Sequence, residues 1–428
     1  GHYYYQVPVP DNTSSREALL RIDVNGAVPT ASSQSPTNFT YRNGTFAFYV
    51  NDDSQTNDIY CSAIGNDANA GSSAGAPMRN LHALLAKLGQ LGPGDRIYVD
   101  TGVYTATNAI VLTSAFSGSA TNPVVIAGST NAAAGGSLFR SSGVVPRPVG
   151  LDFRAGAAHL VLRDVALSNV VRGVALAGTT NVTLDGVEVR GATSRAFDLL
   201  DNARSNELVR CVAHGGSVGL YLTQATNVAV RHSVFWENGT YGVYVGPATD
   251  LLLENSVLAS TATNAILVSI QNTNGLRMDY NGLHAGSLTR VGEHRAAGVK
   301  ADNLAAWQRA TGGLELHSVP GDPLLADPSQ YDYHLKTKET LGRRLPNGQR
   351  TTDAVSSPLL DAGNPASTAW TNEPSPNGGR VNIGKHGGTW AASIAPSLPW
   401  LQAASFADAG SVSNGTVPLV WIAGGGLT

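Results

Sequence analysis

Arg195, Asp198, Tyr221 and Tyr244 are the residues whose types and spacing could do chemistry. Asp198, Tyr221 and Tyr244 follow one another at intervals of 23, and Arg195 stands 46 residues before Tyr241 in a parallel series. An arginine can neutralise the carboxylate of an acidic sugar, and a carboxylate or phenol beside it can take the adjacent carbon-bound proton. A polysaccharide lyase or epimerase requires that pairing, or a Ca2+ held by an Asp/Glu cluster in place of the arginine, together with the base. Without a base, Tyr221, Tyr241 and Tyr244 could still bind carbohydrate by stacking on pyranose rings. The plainer alternative is ordinary outward strand positions, which favour tyrosine.

Other polar residues read differently. Arg163, Arg210 and Arg231 fall in one column with Asp185 and Glu254, and alternating signs predict a salt-bridged ladder rather than a substrate clamp. His214 stands in a series otherwise made of Leu, Val and Phe, so it reads as a hydrogen-bonded core histidine rather than a catalyst. Cys211 and His232 share a turn column, but two residues do not close a zinc site. The other cysteine, Cys61, is 150 residues from Cys211, and no disulfide framework is indicated. Asp52, Asp53, Asp58 and Asp67 lie in a loop with Asn51, Asn57, Asn66 and Asn69. Oxygen ligands in that density could hold a structural Ca2+; the alternative is a run of Asn/Asp turns. No other cofactor is expected.

These residues need a scaffold that repeats. Gly173, Ala196, Gly219, Gly242 and Ala265 are each 23 residues apart. After each comes an apolar residue (Val174, Phe197, Leu220, Val243, Ile266), and two further on another (Leu176, Leu199, Leu222, Val245, Val268). Between them lie Ala175, Asp198, Tyr221, Tyr244 and Leu267. This is strand alternation at a fixed period. A second inward series is Leu162, Leu184, Val209, Val230 and Leu253, and a third is Leu167, Val189, His214, Phe235 and Leu258. Asp164, Gly186, Cys211, His232 and Asn255 form the turns between them. One such unit cannot bury its apolar face alone, whereas stacked units pair every strand in parallel with its copies. The expected fold is therefore all-β: a right-handed parallel β-helix. Arg96–Val99, Ile110–Leu112 and Val124–Ile126 are earlier strands of it.

The ends need covers. Leu81, Leu84, Leu85 and Leu88 form a helical stripe within Pro77–Leu88, with Pro77 in the first turn and Gly89 as the stop. Asp302–Ala310 reads as a second short helix. The flanks change character: 1–45 resembles the closing strands of a partial β-sandwich, including Tyr3–Val7 and Leu19–Val24. Residues 46–395 form the β-helix with its capping helix and an irregular C-terminal section. Residues 396–428 are a linker and the first strand, Pro418–Ile422, of a following sandwich. The ends are expected to be completed by adjoining repeats or neighbouring copies through terminal strands, giving an elongated filament.

Charged residues make up 14% of the 428, with a formal net charge of −3, so no basic surface points to nucleic acid. No apolar run reaches the length of a membrane span. Low Lys and Cys with abundant Thr, Asn and Gly suit an extracellular or cell-surface bacterial protein.

Several segments resemble the secreted right-handed parallel β-helix repeat proteins of bacteria. They are Phe48–Asp52, Gly65–Gly71 with Pro77, and Gly94–Val99 with Gly102–Tyr104. The most specific are Tyr333–Leu335, Ser357–Pro365, Asn372–Pro374, Pro376–Gly384 and Gly387–Thr389. The resemblance spans roughly 46–395 and implies the polysaccharide-lyase-like fold and an extracellular setting. Its members include both lyases and very large surface proteins, so it leaves activity open. The reading favoured by the sequence is a structural or adhesive module. The alternatives are a lyase or epimerase, or a non-catalytic carbohydrate-binding module.

Overall fold

The structure, a computed structural model, describes residues 44–106, 108–142, 147–247 and 249–396, with short strands in the flanks. Its body is three nine-stranded sheets, and the chain visits them in turn, so that each strand pairs with the corresponding strand of the next coil. All of these pairings are parallel except the last, where Val299–Ala301 runs antiparallel to Arg290–His294. The parallel β-helix expected from the repeat is what the chain forms.

Burial explains the architecture. In the first sheet Phe48, Ile97, Ile126, Leu162, Leu184, Leu208, Val230, Leu253 and Met278 stack as one inward column. In the second sheet the column runs through Tyr104, Phe139, Leu167, Val189, Ala213, Phe235, Leu258 and Leu283. The third contributes Leu151, Val174, Phe197, Leu220, Val243 and Val268. These side chains are buried in one continuous core, and their removal from water is the main favourable term in folding.

Several expected positions move by one or two residues. Val209 is not inward: Leu208 takes the column, and Val209 pairs with Asp185 and Arg231 on the outer face. His214 likewise yields to Ala213 and faces outward between Arg190 and Trp236. Ile266 lies beside Tyr241, and Val268 continues the column from Val243. Here the repeat lengthens to 25 residues, because the corner between Ser260 and Ile266 is longer. At the first-to-second corner the left-handed residue is Arg210 rather than Cys211, in series with Asp164, Gly186, His232 and Asn255, all at φ of 51–68°. Cys211 is buried beside that corner, and both cysteines are free. A buried polar ladder follows it: the Cys211 N–H donates to Ser233 Oγ, the Ser233 N–H to Ser256 Oγ, and the Ser256 N–H to Asn281 Oδ1.

Helices cover both ends. The first, α1, spans Leu81–Leu88 with Asn80 at its N-cap, so Pro77 precedes it; Gly89 ends it at φ 68°. Leu81, Leu84 and Leu85 turn into the core. The second, α2, spans Leu304–Thr311 and is capped by the Asn303 side chain, which accepts from the Ala306 N–H. Trp307 of α2 lies fully buried over Gly292, where a Cβ would come within 2.2 Å of the indole.

The C-terminal section is not merely irregular. On the outer face of the second sheet, Val212, Val234 and Val257 stand where polar residues would be expected. Leu325, Tyr333, Leu335, Leu359, Leu360 and Ile383 cover them in a second core. Lys385 reaches Glu188 at 3.5 Å, and Asn364 Nδ2 donates to Glu254 at 3.0 Å. In the flanks, Ser15–Ala18 pairs with Phe39–Tyr41, and Arg21–Val24 with Ala31–Gln34, all antiparallel. Trp421–Gly424 pairs with Trp400–Ala403. Tyr3–Val7 and 418–420, expected as strands, lie outside the described residues.

Candidate functional site

The residues singled out for chemistry lie together on the outer face of the third sheet. Parallel pairing places Ala175, Asp198, Tyr221, Tyr244, Ser269 and Glu293 in one row. Arg172, Arg195, Val218, Tyr241, Ile266 and Arg290 form the row beside it. Strand repetition thus brings Arg195, Asp198, Tyr221, Tyr241 and Tyr244 onto one surface.

Their contacts are largely with each other. Asp198 has no exposed surface, although it faces outward. Its carboxylate accepts from Arg172 Nη1 at 3.1 Å and from Arg195 Nη1 at 3.0 Å. The Arg195 guanidinium also lies 3.6 Å above the Tyr221 ring. The rings of Tyr221 and Tyr244 are 4.6 Å apart and parallel to 1°. The Arg295 guanidinium lies 4.1 Å from the Tyr244 ring. Arg295 is itself held, donating to the Val245 carbonyl at 2.6 Å and to Ser269 Oγ at 2.5 Å. The order along the helix is therefore arginine, tyrosine, tyrosine, arginine, with Asp198 pinning the first cation. Cation–π contacts of this kind contribute roughly 0.5–1 kcal/mol each at exposed positions.

Tyr241 leans on Tyr244 at 5.3 Å and 55°. Burial raises the pKa of its phenol, and the nearby Glu293 charge adds to this. A phenol held in its neutral form is a hydrogen-bond donor and a poor base at neutral pH.

Two participants escaped the sequence reading. Arg172 stands 23 residues before Arg195, so the repeat itself could have found it. Arg295 follows the lengthened corner, and no periodic signal reaches it.

The first-sheet charges do form a ladder, although Arg210 is not in its column. Arg163, Asp185, Val209, Arg231 and Glu254 pair in sequence. Arg231 binds Glu207 and Glu254, and Arg210 reaches Asp185 from the turn. His214 Nδ1 lies 2.7 Å from the Tyr333 hydroxyl, so it joins the two cores, and burial lowers its pKa. His232 and Cys211 form no common site: His232 abuts Gly387 and Gly388, while Cys211 Sγ donates to the Leu184 carbonyl.

The four aspartates considered for Ca2+ turn to separate partners. Asp52 accepts from the N–H groups of Ser54 and Val103, and Asp53 pairs with Arg79. Asp58 accepts from Asn51 Nδ2, and Asp67 from Asn80 and the Arg79 N–H. Among the described residues no group of three or more His, Cys, Asp or Glu converges as a metal cage.

Residues 150–303 match the family model of the right handed beta helix region, which gives the coil its hand. No curated protein matches the chain. Among solved structures it is similar to a rhamnogalacturonan lyase at 15% identity and TM-score 0.38, over 59% of this chain and 63% of that one. The chain thus spans less than two thirds of that enzyme. It is also similar to the pectate lyase Pel9A, at 14% identity and TM-score 0.45, over 80% and 97% of the two chains. A third is the A-module of the Azotobacter vinelandii mannuronan C-5 epimerase AlgE6, at 16% identity and TM-score 0.28, over 46% and 70%. Among the described residues no helix is long and apolar enough to cross a membrane.

Proposed function

We propose that this chain is an extracellular structural or adhesive module in which the β-helix acts as a rigid, non-catalytic rod. The observation that carries the reading is the closed arrangement on the third sheet. To work through this face, a lyase or epimerase would need an arginine, or a cation held by carboxylates, free to take a substrate carboxylate, and a base free to take a proton. Here Arg172 and Arg195 both close on Asp198, and Tyr221 and Tyr244 are stacked between Arg195 and Arg295. Freeing Asp198 as a base would leave two arginines unpaired, and exposing a tyrosine face would break the stack.

End-to-end assembly with adjoining repeats or other copies belongs to the same reading. Electron microscopy and light scattering of native material test it: elongated arrays are expected, and isolated compact particles would refute assembly.

A second reading keeps the same face as a non-catalytic contact for polysaccharide. It is favoured by the convergence of Tyr221, Tyr241 and Tyr244, each half-buried, on one surface.

Catalysis is tested with alginate, pectate and chondroitin, following the ultraviolet absorbance of unsaturated products. No product is expected. Product that disappears in Arg195→Ala or Tyr221→Phe would overturn the non-catalytic reading in favour of the lyase.

A further inference from the structure

Trp390 exposes 62% of its surface, an unusual cost for so large an apolar side chain. It belongs to the C-terminal section, away from the tyrosine face, and the loop that carries it is well fixed. The Thr389 hydroxyl donates to the His386 carbonyl at 2.6 Å, the Ala391 N–H donates to Thr389 Oγ1 at 3.2 Å, and the Ala392 N–H to the Thr389 carbonyl at 3.1 Å. The Ile394 N–H then donates to the Gly342 carbonyl, tying the loop to the two-stranded ribbon Arg343–Arg344 and Arg350–Thr351.

That ribbon treats adjacent arginines in opposite ways. Arg343 is enclosed by Asp332 and Asp353. The Arg344 guanidinium lies 3.9 Å from the Trp390 ring, and among the described residues its side chain makes no ion pair or hydrogen bond. The Gly348 turn flanks it on another side: a Cβ there would come within 3.3 Å of Arg344 Nη2. Its strand partner Arg350 donates to the Gly342 carbonyl and has no carboxylate partner among the described residues. The guanidinium is thus held in place by stacking, with its N–H groups unspent. An arginine in that state is suited to bidentate recognition of an anionic oxygen pair.

We propose that Trp390 and Arg344 form a binding site for an acidic glycan. One pyranose would lie on the open indole face, and the acid group of an adjoining sugar would take the N–H groups of Arg344, with Arg350 adding positive charge. Carboxylate and sulfate share the required chemistry. This site is separate from the third-sheet face and does not depend on how that face is used.

The test is affinity electrophoresis or calorimetry of the full chain against polygalacturonate, a sulfated glycan and neutral xylan. Trp390→Ala, Arg344→Gln and, as a control at an exposed apolar residue outside both faces, Leu288→Ala are compared with wild type, and circular dichroism checks that each is folded. Retention of at least one acidic glycan is expected, weakened by added salt. It should fall by about tenfold or more in Trp390→Ala and in Arg344→Gln, and stay unchanged in Leu288→Ala. Retention of polygalacturonate assigns a carboxylate ligand, and retention of only the sulfated glycan assigns a sulfate; both support the site. No retention of either acidic glycan, equal retention by all variants, or equal retention of xylan would overturn it. So would equal binding of polyglutamate, which would show a general anion site without selectivity for sugar.

Discussion

Replacing Glu373 by Gln should change how the stability of this protein responds to pH. Glu373 is buried in the C-terminal section, where Oε1 accepts from the N–H groups of Asn382 and Gly388. Oε2 is buried without a hydrogen-bond partner. Burial is the main cause that pushes the carboxyl up to about 8, and the Asp361 charge nearby adds to it. The folded form therefore holds a proton that an unfolded glutamate, at about 4.3, has already released. The resulting stability is fully present below about pH 4.3, falls as pH rises, and is lost above about pH 8. Each pH unit across that window costs about 1.4 kcal/mol, so pH 5 to pH 8 would remove roughly 4 kcal/mol. Water entry and relaxation around the ionised carboxylate lower this, leaving roughly 2–4 kcal/mol.

Glutamine keeps an acceptor for the two N–H groups and cannot ionise. The expected result is that Glu373→Gln gains on wild type as pH rises from 5 to 8. Urea denaturation followed by tryptophan fluorescence, with linear extrapolation at each pH, measures the difference. Glu315, raised to about 7 by burial, and His232, lowered to about 4, titrate in both proteins and cancel from it. Parallel pH profiles for the two proteins would refute the argument, because they would mean that Glu373 does not carry its proton into the folded state.

Two substitutions test the β-helix itself. Phe197→Asp puts an unpaired charge at a fully buried position and should abolish the cooperative melt; a wild-type-like transition by circular dichroism would contradict the burial. Gly219→Val would bring a Cβ within 2.5 Å of the Gly242 carbonyl and 2.8 Å of Phe235. It should lower stability by about 2 kcal/mol or more, whereas an unchanged denaturation midpoint would show that neighbouring coils can separate there.

The sequence made the coil legible because inward residues recur wherever strands stack. It misled where two neighbouring positions were both apolar. Leu208 and Val209 differ only in which face they take, and a three-residue strand gives alternation too little length to choose. Ala265 through Val268 is an unbroken apolar run, so a corner longer by two residues preserved parity and hid the change of register. The second core was also written in the sequence. Val212, Val234 and Val257 are valines on an outward face, and an apolar outward row requires a second layer to cover it. What covers it could not be read from spacing, since Tyr333 meets His214 across 119 residues of chain. The candidate site divides in the same way. Periodicity brings Asp198, Tyr221 and Tyr244 into one row, but whether they are free to act depends on Arg172 and Arg295, one in the repeat and one beyond it. A row of reactive side chains becomes a catalytic site only if its charges are left for a substrate. In this row Arg172 and Arg195 are committed to Asp198, and Arg295 to Ser269 and the Val245 carbonyl. By contrast, the Arg344 guanidinium lies over Trp390 outside the periodic coil, and its side chain has no carboxylate partner among the described residues, which leaves it for an external anion.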